Sequence, residues 1–105
     1  MKEDNSGTIL MIIDKKYDDF GTCFMESEES IYRKMIDTYK RLENFEDGLF
    51  LVVHATIEKQ SFNTTYAINK DNSVVIITVI IPYFEKIEDY ETCDDALKLY
   101  RQINR

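Results

Sequence analysis

The stretch Val74-Val75-Ile76-Ile77-Thr78-Val79-Ile80-Ile81 constrains the fold more than any other segment of this chain. Read at period two, it is apolar on both faces: Val75, Ile77, Val79 and Ile81 alternate with Val74, Ile76 and Ile80. Such a segment fits a central strand covered on both sides. It falls far short of the ~20 residues that a membrane-spanning helix requires. Pro82 follows and cannot donate to a ladder, so pairing is expected to weaken there.

Three further runs have strand character. Thr8 to Ile13 reads as a short buried strand closed by a polar turn at Asp14-Lys15-Lys16. Leu49 to Glu58 alternates Leu49, Leu51, Val53, Ala55 and Ile57 against Phe50, Val52, His54, Thr56 and Glu58, so one face belongs in the core. Phe62 to Ile68 shows a half-buried pattern, and Asn69 to Ser73 is turn-forming sequence that leads into the Val74 stretch. Tyr17 to Met25 fits a loop or a turn plus a strand equally well.

Two segments have helical periodicity. Ser27 is positioned to cap the first, Glu28 and Glu29 follow in its first turn, and Ile31, Met35, Tyr39 and Leu42 recur on one face. Asn44 to Gly48 ends it. The second starts from Thr92-Cys93-Asp94-Asp95 as a variant capping box and carries Ala96, Leu97, Tyr100 and Ile103 on its apolar side. The expected fold class is therefore α+β: a single domain spanning residues 1–105, with a mainly antiparallel sheet of about four strands and two helices packed on one face. The polar residues 1–7 are expected to be disordered. With both helices on one face, the other face keeps Phe50 and Val52 together with one side of the Val74 to Ile81 strand, and needs a cover or a partner.

Charge bears on function. Thirteen basic and twenty acidic residues give a net charge of −7, which disfavours direct binding to nucleic acid or to an anionic membrane surface. Residues 1–30 and residues 74–97 each carry −5, so the acid lies in two blocks. Cys23 and Cys93 are far apart in sequence and lack a C-x-x-C pairing, as expected for a reduced, cytoplasmic protein. No secretory leader is read at the start of the chain.

Catalytic patterns are sparse. His54 is the single histidine, which leaves no histidine cluster for a metal and one base for either cysteine. Gly7, Gly21 and Gly48 are too scattered to cradle phosphate. Asp14, Asp18 and Asp19 lack calcium-loop spacing, and Asp14-Lys15-Lys16 lacks the upstream acid of a metal-dependent nuclease. The chain is accordingly expected not to be an enzyme and to need no cofactor or metal.

What remains is binding. The sequence predicts an acidic protein-interaction module, an inhibitor that acts as a phosphate mimic on a basic surface of a nucleic-acid-processing protein, as anti-CRISPR, anti-restriction and immunity proteins do. The candidate partner-binding carboxylates are Asp18, Asp19, Glu26, Glu28 and Glu29 in the first block and Glu85, Glu88, Asp89 and Glu91 in the second. Tyr17, Tyr83, Phe84 and Tyr90, with Phe20 and Phe24, are the candidate aromatic anchors. The alternative is a homo-oligomeric accessory or structural protein, a homodimer through an apolar sheet face or an edge strand.

Overall fold

The computed structural model describes residues 7–42 and 48–105. The chain runs β1 (Thr8–Tyr17), α1 (Phe20–Lys40), β2 (Leu49–Ile57) and β3 (Gln60–Ile68). A helical run follows, made of a 3-10 turn at Asp71–Ser73, a π segment at Ile76–Ile80 and α2 (Ile81–Lys86), and then α3 (Tyr90–Ile103). The α+β class is as the sequence predicts, but the sheet has three strands rather than four and is mixed. Its order is β1-β2-β3, with β1 parallel to β2 and β2 antiparallel to β3. The parallel pair arises because α1 carries the chain back before β2 begins, the kind of crossover that parallel neighbours need.

The missing fourth strand is the Val74 stretch, which is helical. Its buried residues, with neighbours on either side, are Ser73, Ile76, Ile80 and Phe84, spaced three, four and four apart, while Val74, Ile77 and Val79 stay exposed. All eight residues of the stretch are β-branched, and each disfavours a helix by a few tenths of a kcal/mol relative to Ala. Packing overrides that preference: Ile76, Ile80 and Phe84 are fully buried in one cluster with Tyr39, Leu51, Ile68 and Ala96. The Ile81 N–H donates to the Ile76 carbonyl across a widened π turn. Pro82 comes next, at the start of α2. It has no N–H to give the preceding turn, and the wider spacing makes room for its ring.

Other boundaries differ for local reasons. Asp19, not Ser27, caps α1, and its Oδ1 accepts from the Thr22 N–H at 2.8 Å. Phe20 to Met25 are therefore helical, and Ser27 is buried inside the helix. Asp89, not Thr92, caps α3, accepting from the Thr92 N–H at 3.2 Å and the Thr92 hydroxyl at 2.8 Å. The expected turn at Asp14-Lys15-Lys16 is part of β1, where Ile12 faces His54 and Lys16 faces Thr56, so three β1 residues oppose one of β2. Glu58 and Lys59 form the β2–β3 connection with φ of 52° and 66°, and Ile57 pairs with Gln60. Two left-handed residues in a two-residue loop match the twist of a hairpin. Expected disorder at residues 1–6 and the expected helix end at residues 44–47 lie outside the described residues; Gly7 is held, its carbonyl accepting from the Phe50 N–H at 2.7 Å.

Register divides the sheet into two unlike faces. Leu49, Leu51, Val53, Ala55 and Ile57 are buried beneath the helices, with Ile9 and Met11 on one side and Tyr66 and Ile68 on the other. The opposite face carries Thr8, Leu10 and Ile12 of β1, Phe50, Val52 and His54 of β2, and Asn63, Thr65 and Ala67 of β3. Among the described residues no element covers that face, and Leu10, Ile12 and Phe50 are 58%, 57% and 51% exposed. The short, buried first strand that the sequence predicts is thus buried on one side only.

Candidate functional site

The site grows from the corner between α2 and α3. Glu85 lies near the end of α2, Glu88 turns the chain with φ of 62°, Asp89 caps α3, and Glu91 sits in the first turn of α3. Burial of Phe84 on one side and Ala96 on the other fixes this corner against the core. α1 runs past it, and Arg33 joins the two. Its Nη2 donates to Asp89 Oδ2 at 2.7 Å, its Nε to Glu29 Oε2 at 2.9 Å, and its Nη1 to Thr92 Oγ1 at 3.2 Å. The guanidinium lies 4.8 Å from the centre of the Phe84 ring, a cation–π position.

One arginine thus ties the two acidic blocks together, through Glu29 one turn before it and through Asp89 56 residues after it. The geometry shows in the proton affinities. Hydrogen bonds from Arg33, and after it from Thr92, hold the Asp89 carboxyl below its ordinary value. Asp89 and then Glu29 raise Arg33. The Tyr32 hydroxyl donates to Glu28 at 3.0 Å, and burial followed by Glu28 pushes its pKa up to about 12. Tyr83 stacks edge-on against Tyr32 at 5.2 Å and is raised by burial first and then by Glu29 and Glu28. Of the six candidate carboxylates here, Glu29 and Asp89 bond Arg33 and Glu28 bonds Tyr32 beside it. Glu85, Glu88 and Glu91 lie within four residues of Asp89 on the α2–α3 corner, together with Lys86. These six acids, counted with Arg33 and Lys86, carry a net charge of −4.

The rest of the first block sits elsewhere. Asp18 and Asp19 stand at the N-terminal end of α1, ten residues and about 15 Å along the helix from Glu29. Asp19 is committed to the cap, and the Thr22 N–H lowers its carboxyl. Glu26 accepts from Lys15 Nζ at 2.7 Å and from the Tyr17 hydroxyl at 3.3 Å. Lys15 is the main cause of its lowered proton affinity. The nine candidate carboxylates are thus divided between two places: an acidic corner, and a helix start where two of three are already engaged.

The aromatic candidates need a matching correction. Phe84 is completely buried and Tyr17 nearly so, because each closes a core cluster; neither presents a ring to a partner. Tyr83 is half-buried. Tyr90, at the corner, is 64% exposed and remains available, as do Phe20 and Phe24 on the first turns of α1. Phe20 packs edge-on against Phe62 at 4.8 Å, beside an apolar cleft of about 90 Å³ that Phe24, Cys23 and Ala55 also line. Arg33 and Thr92, which the sequence analysis did not single out for the site, hold the corner together. An i to i+4 pairing of Arg33 with Glu29 is visible in sequence, but the Asp89 contact carries no local signal.

Groups suited to other chemistry are dispersed. His54 lies on the open sheet face with Nδ1 2.8 Å from Asn63 Oδ1, while Cys23 and Cys93 pack on the helical side, so the sheet stands between the histidine and both thiols. Burial, then Glu85 and Asp89, push the Cys93 thiol up, away from the thiolate a nucleophile needs. Among the described residues no group of three or more His, Cys, Asp or Glu side chains is arranged to hold a metal ion. None of their helices is long and apolar enough to cross a membrane. Comparison with protein-family models, with curated proteins and with solved structures found no match.

Proposed function

We propose that this chain is an acidic protein-interaction module rather than an enzyme, and that its acidic corner docks on a basic surface of a nucleic-acid-processing protein and inhibits it by occupying phosphate-binding positions. The observation that carries this reading is the meeting of the two acidic blocks at Arg33, through Glu29 and Asp89. A flexible string of acids would lose conformational freedom on binding, whereas carboxylates set on the flank of α1 and the capped start of α3 are already arranged. Charge complementarity of this kind accelerates encounter and rejects acidic competitors, and Tyr90 adds an exposed ring beside the carboxylates.

The test is capture from lysate by the tagged chain, with the captured proteins identified by mass spectrometry. Wild type is compared with a Glu28→Lys/Glu88→Lys/Glu91→Lys variant and with an Asp37→Lys/Asp71→Lys control of exposed acids elsewhere. The reading expects a basic nucleic-acid-processing protein, retained by the control, lost from the corner variant, and released by heparin and by moderate salt. Identical capture by all three proteins would refute it.

A further inference from the structure

We infer that the open face of the sheet is a self-association surface, on which a second copy of this chain stacks sheet against sheet. This goes beyond the acidic reading and does not depend on it. The face is organised as a core half rather than as an outer surface. Leu10 lies opposite Val52, Phe50 lies between Thr8 and Ala67, and Ile12 sits beside His54, so large apolar side chains run together across β1 and β2. More than half of Leu10, Ile12 and Phe50 is exposed. Contiguous apolar patches of this kind mark contact surfaces, whereas single exposed apolar residues do not.

Charge and area select the occupant. Thr8, Leu10, Ile12, Phe50, Val52, His54, Asn63, Thr65 and Ala67, with Lys16, Thr56 and Ser61 where the register continues the same face, include no carboxylate and a single lysine at one end, in a chain of net charge −7. The face therefore holds nothing to attract a basic partner, and it is where two equally acidic copies approach without carboxylate facing carboxylate. Neither stretch outside the described residues has the composition to cover it. Residues 1–6 contain Met1 as their one apolar side chain, and residues 43–47 contain Phe45 among Glu43, Glu46 and Asp47.

Three strands ~4.8 Å apart and about nine residues long at ~3.3 Å per residue give a projected area of about 400 Å² per copy. That is about half of the ~800 Å² per partner typical of a stable interface, which suits a dimer that forms at tens of micromolar and dissociates on dilution. Two such faces pack ~10 Å apart in aligned sandwiches, and the product here is a four-layer helix–sheet–sheet–helix dimer.

Sedimentation velocity across a dilution series tests this. Wild type should sediment at twice the monomer mass at ~50 µM and dissociate on dilution. Ile12→Lys and Phe50→Lys should each be monomeric at every concentration, with unchanged helical circular dichroism, because both side chains already point outward. Phe50 lies on the central strand, beyond the reach of edge-to-edge pairing. Phe50→Cys in a Cys93→Ser background should therefore be joined into a covalent dimer by a flexible thiol-reactive bismaleimide if the faces stack, the ~10 Å between sheets being too wide for a direct disulfide. A wild-type monomer at ~200 µM, a dimer that persists in the Ile12→Lys/Phe50→Lys double variant, or a dimer in which Phe50→Cys fails to cross-link would each overturn the inference.

Discussion

Replacing Ile76 and Thr78 one at a time separates the helical Val74 stretch from a strand of the same sequence. In a strand the two residues share a face and would respond alike; in the helix they lie on opposite sides. Ile76 is fully buried and Thr78 is exposed, its hydroxyl donating to the Val74 carbonyl at 2.9 Å. Ile76→Ala removes three carbons at ~0.8 kcal/mol each, about 2.4 kcal/mol of burial. A residual cavity of up to ~80 Å³ adds as much as ~2 kcal/mol, and the better helix propensity of Ala returns a few tenths. The net cost is about 3 kcal/mol, against a total stability of ~5–15 kcal/mol for a domain of this size. Thr78→Ala removes an exposed side chain that competes for a backbone carbonyl, and it should stabilise by about 0.5 kcal/mol. In a strand the same change would destabilise, because Thr outranks Ala there. The assay is urea unfolding followed by far-ultraviolet circular dichroism and tyrosine fluorescence. If Ile76→Ala is too unstable to purify, Ile76→Val should still cost about 1 kcal/mol. Costs of equal size and sign at Ile76 and Thr78 would refute the helix.

Three other expectations concern the corner and the turns. Hydrogen bonding depresses the carboxyls of Asp89, Asp19 and Glu26 in the folded state. Their contribution to stability is present above the ordinary carboxylate range and lost as pH falls below about 4 through the folded values. Asp89→Asn should flatten the acid limb of a stability–pH profile, and an unchanged limb would rule out the Arg33 contact. Burial raises Tyr39 to about 12, and its hydroxyl donates to the Asn72 carbonyl at 3.0 Å. Stability from this group holds below pH ~10 and is lost as pH rises through the folded value, so absorbance titration should resolve late-ionising tyrosines that Tyr39→Phe reduces by one. Gly48 has φ of +93°, and an added Cβ would meet the Ile68 carbonyl oxygen at 2.8 Å and Asn69 Cβ at 2.9 Å. Gly48→Ala should cost at least ~2 kcal/mol in the same urea assay, and a cost below ~0.5 kcal/mol would contradict that backbone.

Elements whose burial is one-sided at a single period were legible in the sequence. β2 alternates cleanly, and residues Leu49 to Ile57 lie where the alternation places them. The stripe of Ile31, Met35 and Tyr39 identifies the middle of α1 for the same reason. The Val74 stretch was not legible because every position is apolar or nearly so, and a run without polar punctuation fits period two and period 3.6 equally well. Its β-branched composition then favoured the wrong answer, and the deciding facts, the burial of Ile76, Ile80 and Phe84 against Tyr39 and Leu51, come from distant segments. Errors at the helix starts have another cause. Ser27 and Thr92 are good caps in isolation, but Asp19 and Asp89 each stand three residues before a threonine that donates through both its backbone and its hydroxyl. A carboxylate with two donors outcompetes a lone hydroxyl.

The candidate site divides along the same line. Its residue types and its two blocks were readable, because charge needs no fold to be counted. Their convergence was not, since it depends on α1 passing the α2–α3 corner, and the corner exists only because the Val74 stretch is helical. Had that stretch been a fourth strand beside β3, the segment from Pro82 onward would have left from a sheet edge, with no packing reason to bring Asp89 to Arg33. The fold correction and the functional reading are therefore linked. Substitutions that unseat Ile76 or Phe84 should weaken partner capture as well as stability, whereas Arg33→Met, which keeps the stem over the Phe84 ring but removes the fork, should loosen the corner with a smaller loss of stability. The open sheet face was half legible: Phe50 and Val52 were visible as unpaired apolar residues. Leu10 and Ile12 join them because the helices pack on one side of the sheet, which leaves β1, like β2, covered on one face only although it reads as wholly buried.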